Sequence, residues 1–251
     1  METRTMTYQG AVSKIVRIEK EPLPARPLLR IGAAAACLGG AMAVIGNALH
    51  GPADVTMDGL RHLAHNGVFG IYGADHFLLA IAVVFVCNGL AAIAQSIEAE
   101  PGASWARLGF VNVLIGGAVM LAALGIDGFA LVPMARSWLD ASAADQRTLF
   151  QIAQALFSAF IGMFALAVFV FFGCVPLLYG TAFLTSRVYA RWMGIAAIAG
   201  GLVGLPLGMA LAFQWITSLV YMILFGISAT LFAIWVIAAG VVLWRRTTPV
   251  F

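Results

Sequence analysis

The chain has 251 residues, of which 62% are hydrophobic and only 10% are charged. Soluble domains carry about 25% charged residues, so this composition excludes an ordinary soluble protein and makes the lipid bilayer the expected partner. The net charge is only +3, and no basic stripe interleaved with aromatic residues is present, which argues against a nucleic-acid partner.

The N-terminal thirty residues contain six basic side chains and lead into an alanine-rich apolar run. A signal peptide has a similar pattern, but this charged region is longer than a signal n-region and further apolar runs follow. We therefore interpret residues 1–27 as a cytoplasmic N-terminal tail and residues 28–251 as a single transmembrane helical domain.

Six apolar runs are each long enough to cross a hydrocarbon core about 30 Å thick, at 1.5 Å per helical residue. The predicted spans are Leu28–Leu49, Ile71–Gln95, Leu108–Leu131, Leu149–Leu178, Met193–Gln214 and Ser218–Trp244. The sequence thus predicts an all-α fold, a polytopic bundle of about six transmembrane helices.

The basic residues are divided unequally between the two sides of these spans. Eleven of the fourteen lie on the side of the termini, whereas only Arg61, Arg136 and Arg147 lie on the other side. Because cytoplasmic loops are enriched in Lys and Arg, the split predicts a bacterial inner (plasma) membrane protein with both termini in the cytoplasm.

The first outer loop contains the pattern of a short amphipathic helix. Thr56 is a suitable N-cap, and Met57, Leu60, Leu63 and Ala64 form an apolar stripe at helical spacing. We expect this helix to lie on the outer surface of the membrane.

The opposite face of this helix carries Asp58, His62 and His65 at i, i+3 and i, i+4 spacings. These three side chains suit zinc or copper, with His50 or His76 as a fourth ligand. An exposed polar helix face has the same pattern, so both interpretations stay open.

Polar residues also occupy the outer part of the small-residue faces of spans one to four. Such faces pack against other helices, so these side chains should point into the bundle. We expect them to line one polar pocket that opens outward, with candidate residues Asn47, His50, Asp75, His76, Asp127, Gln151 and Gln154. Ionisable groups at membrane depth are energetically costly, so those that are present are functional candidates by default.

Each ionisable candidate also has a purely structural interpretation. Asp127 lies in the segment Gly125-Ile126-Asp127-Gly128, which is suited to a turn that ends a helix. Asp75 is favoured by the helix dipole in a first turn. His50 and His76 are suited to the headgroup level, where water solvates them.

A haem held between His50 and His76 is a further hypothesis, since the two lie at similar depth on neighbouring spans. The sequence has no CxxCH, no phosphate loop, no nucleophile elbow, no HExxH and no dinucleotide fingerprint. We therefore expect a role without catalysis or a required cofactor: binding or transport of a small molecule, or partnership with another membrane protein. The alternative is a metal- or haem-binding enzyme or electron carrier that uses the outer His and Asp residues.

Two stretches resemble widespread bacterial membrane proteins of uncharacterised function: Leu108–Phe129 (LGFVNVLIGGAVMLAALGIDGF) and Tyr189–Gly204 (YARWMGIAAIAGGLVG). Those proteins have about six spans, a glycine-rich third span ending in a similar acidic turn, and an aromatic-basic start to the fifth. The resemblance covers most of the chain and implies the same architecture, but it supplies no catalytic residues.

Overall fold

The computed structural model describes residues 26–50, 55–66, 70–216 and 218–247. These residues form helices joined by short connections, and no strand occurs among them. Six helical stretches are long and apolar enough to cross a membrane, which is the architecture of a multi-pass membrane protein. The predicted tail of residues 1–27 lies outside the described residues, apart from its last two positions.

Nine α-helices follow one another along the chain. They are α1 (Arg26–Leu49), α2 (Met57–Asn66), α3 (Ile71–Gln95), α4 (Ala103–Leu124), α5 (Leu131–Asp140), α6 (Ala143–Ala167), α7 (Val175–Thr185), α8 (Arg191–Ala212) and α9 (Ser218–Thr247), as far as the described residues extend. A first π-helical turn, Gly125–Ala130, joins α4 to α5, and a second, Val168–Cys174, joins α6 to α7. Such turns concentrate at functional sites.

The third and fourth spans are longer than their apolar runs predict. They extend over Ala103–Asp140 and Ala143–Thr185, with lengths of 38 and 43 residues. At 1.5 Å per residue the longer one measures roughly 65 Å, about twice the hydrocarbon core, so its ends must project beyond the bilayer. The third span does not end in a turn at Asp127, because the first π turn continues α4 into α5.

One end of the bundle is covered by α2, which packs on α5 and also contacts α3. We call it the capped end. Thr56 is the N-cap of α2, as predicted, and its hydroxyl accepts a hydrogen bond from the Gly59 backbone N–H at 3.0 Å. Met57 of the predicted stripe is 56% exposed and takes no part in this core. The buried residues include Leu60, Leu63, Ala64, Val132, Ala135 and Trp138.

The largest apolar core lies towards the opposite end, among α3, α7, α8 and α9. Phe183 and Tyr189 stack there with ring centroids 4.0 Å apart. Helices α1 and α3 approach so closely that a Cβ at Gly89 would lie 2.6 Å from the Ala36 Cα atom. This tight pairing holds the end of α1 against the start of α3, where four of the seven predicted pocket residues lie, namely Asn47, His50, Asp75 and His76.

Candidate functional site

Five polar side chains meet inside the capped end, and we call them the His/Asp cluster: His50, Tyr72, Asp75, His76 and Asp127. His50 follows the last residue of α1, and three members lie in the first two turns of α3. Asp127 lies in the first π turn. Three segments that are distant in sequence therefore form one site.

A continuous chain of polar contacts links these side chains. His50 Nδ1 lies 3.2 Å from Asp75 Oδ2, and Asp75 Oδ1 lies 2.8 Å from His76 Nδ1. On the far side of the ring, His76 Nε2 lies 3.1 Å from Asp127 Oδ2. The Tyr72 hydroxyl donates to Asp127 Oδ1 at 2.6 Å and completes the chain.

The cluster is almost wholly buried. The His76 side chain is 0% exposed and the Asp75 and Asp127 side chains are 1% and 2% exposed, whereas His50 is 27% exposed. Within the described part of the chain, the ion-pair partners of the two carboxylates are histidines, and no Lys or Arg joins them. Buried charges persist only when they are paired and hydrogen-bonded. The two carboxylates therefore require positive charge or protons between them.

Both ring nitrogens of His76 face oxygen atoms. Nδ1 lies 2.7 Å from the Tyr72 carbonyl oxygen and 2.8 Å from Asp75 Oδ1, while Nε2 faces Asp127. A neutral imidazole carries one N–H and cannot donate on both sides. The arrangement therefore needs a second proton, on the imidazole or on a carboxyl, or else a bound cation.

Glycine at position 128 allows the first π turn to lie directly against His76. A Cβ at Gly128 would overlap the Cβ atom of His76. Asp127 and Gly128 are both buried. The Asp127 carboxylate and the Gly128 backbone both contact His76. The wide turn and the missing side chain together bring Asp127 to the imidazole.

A cavity of about 110 Å³ lies beside the cluster, between α1, α3, α4, α6, α9 and the second π turn. Asn47, His50 and Asp127 supply the polar part of its wall. Nine aliphatic side chains and six phenyl rings supply the remainder; the rings belong to Phe160, Phe164, Phe171, Phe172, Phe225 and Phe232. This cavity is thus mainly apolar, and Asp75 and His76 are buried behind its wall, where they pair with neighbouring residues.

The structure brings together four of the seven predicted pocket residues, namely His50, Asp75, His76 and Asp127. Asn47 lies on the cavity wall, but its amide donates to α9, at 2.9 Å to Thr230 Oγ1 and 3.1 Å to the Gly226 carbonyl. It therefore joins two helices beside the cluster.

The remaining two predicted pocket residues are Gln151 and Gln154. Both side chains are exposed on α6 and do not line the cavity. The inward face of this helix is formed by Ala153, Phe157 and Phe160. Relative to Ala153, Gln154 is rotated by about 100° around the helix axis and Gln151 by about 160°. Neither side chain therefore lies on the inward face.

The predicted metal ligands of α2 lie on its exposed face, where Asp58 pairs with Arg61 at 2.8 Å. His62 and His65 are exposed as well. In the part of the chain that the structure describes, one group of three metal-ligating side chains has ligand atoms within 4.8 Å of one another. That group belongs to the His/Asp cluster and consists of His50, Asp75 and His76.

The hypothesis of a haem between His50 and His76 does not fit this arrangement. Their ring centroids are 4.8 Å apart, so the two imidazoles are close to van der Waals contact. A porphyrin and its iron have no room between rings at that separation.

Tyr72 is the cluster member that the sequence pattern did not predict. It lies four residues before His76, and residues at that spacing share a helix face. The two ring centroids are 4.3 Å apart. The i, i+4 spacing to a buried histidine is the signal that would have identified it.

Neither a protein-family model, nor a curated protein, nor a solved structure matches this chain. The candidate site is therefore described from the residues of this chain alone. It consists of the buried His/Asp cluster at the capped end and an aromatic cavity bordered by His50 and Asp127.

Proposed function

We propose that the protein is a bacterial inner-membrane protein that binds a small, largely apolar molecule in the aromatic cavity. The observation that carries the proposal is the cavity itself, about 110 Å³ in volume and walled by phenyl rings with His50 and Asp127 at one end. Ligand sites are mostly apolar with a few polar groups that fix orientation. An apolar cavity of about 150 Å³ binds benzene, so the buried part of the ligand is about one ring in size.

The polar end of the cavity selects the head group of the ligand. Asp127 borders the cavity, and Asp75 lies behind it on the other side of His76. Two carboxylates whose ion-pair partners among the described residues are histidines attract a cationic or hydrogen-bond-donating group and repel an anion. The proposed ligand therefore combines an apolar ring or chain with an amine or a similar donor.

The proposed orientation has both termini in the cytoplasm and the His/Asp cluster at the outer side. It is supported by the arginines at the two ends of the bundle. Arg187 and Arg246 lie together at the end opposite the cluster, where the Arg246 guanidinium donates to the Arg187 carbonyl at 3.1 Å. The basic-rich end is cytoplasmic under the positive-inside rule.

Binding is tested with two water-soluble probes that share one ring, benzylamine and benzoate. The full chain is purified in detergent with EDTA, and its thermal unfolding is followed as each probe is titrated. We expect benzylamine to raise the melting temperature as RT ln(1 + [L]/Kd) requires, and benzoate to have no such effect.

The matched variants are Ala229→Phe, which fills the cavity, and Ala155→Phe, which changes an exposed residue of α6 outside the cavity wall. Stabilisation by benzylamine should disappear in the first variant and persist in the second. Equal stabilisation of both variants, or none in the wild-type protein, would overturn the binding proposal.

The orientation is tested separately with protease-cleavable tags on the two termini in spheroplasts. Both tags should be protected from added protease until the membrane is permeabilised. Cleavage of either tag in intact spheroplasts would contradict the proposed topology.

A further inference from the structure

We infer that His50, Asp75 and His76 form a binding site for a divalent transition-metal ion of the zinc type. The ligand atoms of the three side chains lie within 4.8 Å of one another. Zinc bonds of about 2.0–2.2 Å place tetrahedral ligand atoms roughly 3.3–3.6 Å apart. The two contacts of Asp75, 3.2 Å to His50 Nδ1 and 2.8 Å to His76 Nδ1, are already near that spacing.

The surroundings of His76 supply the strongest support. A metal-ligating histidine usually donates its other ring N–H to a carboxylate, which fixes the tautomer. His76 Nε2 lies 3.1 Å from Asp127 Oδ2, and the Tyr72 hydroxyl holds the second oxygen of that carboxylate. With the proton on Nε2, the lone pair of Nδ1 faces the Asp75 carboxylate and the Tyr72 carbonyl oxygen. Such a concentration of lone pairs is stabilised by a cation.

Charge balance favours a divalent ion over a single proton. Asp75 and Asp127 bring two negative charges into a buried site, and no Lys or Arg of the described residues pairs with them. A divalent cation neutralises both carboxylates, whereas one proton neutralises only one. Two imidazoles and a carboxylate suit zinc, copper, nickel or iron better than calcium or magnesium.

His50 provides the route by which an ion reaches the site. Its side chain is 27% exposed and also borders the aromatic cavity. Three protein ligands leave a fourth coordination position, as in catalytic zinc sites. The ion would therefore stand at the polar end of the cavity, where water completes its coordination.

The test loads the purified full chain with zinc. After EDTA treatment and gel filtration, zinc chloride is added, unbound metal is removed, and bound zinc per chain is measured by mass spectrometry. We expect one ion per chain, and the cobalt-substituted protein should show the intense visible absorption of four-coordinate Co²⁺.

The variants separate the ligands from their supporting residues. His50→Ala and Asp75→Asn should each abolish stoichiometric zinc. Asp127→Asn and Tyr72→Phe should retain the ion with affinity weakened about 10- to 100-fold, because they alter groups that orient a ligand. His65→Ala, on the exposed face of α2, is the matched control and should bind zinc like the wild-type protein.

Absence of stoichiometric zinc in the folded wild-type protein would overturn the site and leave protons as the charges inside the cluster. Zinc retained in His50→Ala but lost in the double variant His62→Ala, His65→Ala would overturn it in favour of α2. If His50→Ala fails to fold, His50→Gln and Asp75→Asn provide the same comparison. The inference is independent of the cavity ligand: Ala229→Phe should keep its zinc, and the benzylamine titration is performed in EDTA.

Discussion

Buried polar groups at the two ends of the bundle have different kinds of partner. At the end opposite the cluster, the Tyr179 hydroxyl donates to the Leu90 carbonyl at 2.8 Å, and the Trp235 indole N–H donates to the Met193 carbonyl at 3.0 Å. These partners are neutral. At the capped end, His76 lies between two carboxylates, and every side-chain partner within the cluster is an ionisable group.

This difference distinguishes the structural end of the bundle from the capped end, which holds the candidate site. A neutral hydrogen bond contributes about 1 kcal/mol and makes few demands on its surroundings. An ionic network buried in the bundle carries a desolvation penalty, and its retention is a sign of function rather than stability. The opposite end thus holds the helices together, while the capped end holds reactive groups in a defined arrangement.

The largest effect should follow from breaking the network at Asp127. Asp127→Ala removes the contact of His76 Nε2 and the acceptor of the Tyr72 hydroxyl, so we expect a loss of about 3–5 kcal/mol in unfolding free energy, measured by denaturant titration in detergent. Asp58→Ala removes an exposed carboxylate of α2 and should leave the free energy unchanged. A similar loss in the two variants would show that burial of the cluster has no energetic significance.

Two tyrosines allow the ends to be compared with the same chemical change. Tyr72→Phe removes a hydrogen bond to a carboxylate and should lower the unfolding free energy by about 1.5–3 kcal/mol. Tyr179→Phe removes a bond to a neutral carbonyl and should lower it by about 1 kcal/mol. The reverse order would contradict the distinction between ionic and neutral ends.

The close approach at Gly128 predicts a steric effect of similar or smaller size. Gly128→Ala forces a methyl group into the space of the His76 side chain, and we expect a loss of about 1–3 kcal/mol together with weaker zinc binding. Gly162→Ala is the control, since a Cβ there meets nothing within 4 Å and alanine favours a helix. Equal stability of the two variants would mean that the first π turn does not press on the imidazole.

The smallest effect is expected on the exposed face of α6. The double variant Gln151→Ala, Gln154→Ala should unfold like the wild-type protein and respond equally to benzylamine, since neither side chain borders the cavity. Loss of the benzylamine response, measured in the same thermal titration, would place these residues in the site after all.

The sequence predicted much of the architecture and part of the cluster. Long apolar runs identify membrane helices, because burial of apolar surface in lipid depends on composition over one segment. The small-residue faces correctly placed His50, Asp75, His76 and Asp127 inside the bundle, because the 3.6-residue period is also a local property. The same reasoning also selected Gln151 and Gln154, whose side chains are exposed on α6, because a small-residue pattern does not specify which neighbour a helix face meets.

By itself, the sequence determined that the chain is a helical protein with six runs able to cross a membrane. Tertiary structure alone decided that the third and fourth membrane spans continue through π turns, from α4 into α5 and from α6 into α7. It also decided that Tyr72 binds Asp127 and that the cavity is aromatic. The physical reason is that hydropathy and periodicity act within a segment, whereas the neighbours of a side chain depend on the angle and register at which helices pack. A single wide turn, such as the one that carries Asp127, shifts that register without any change in hydropathy.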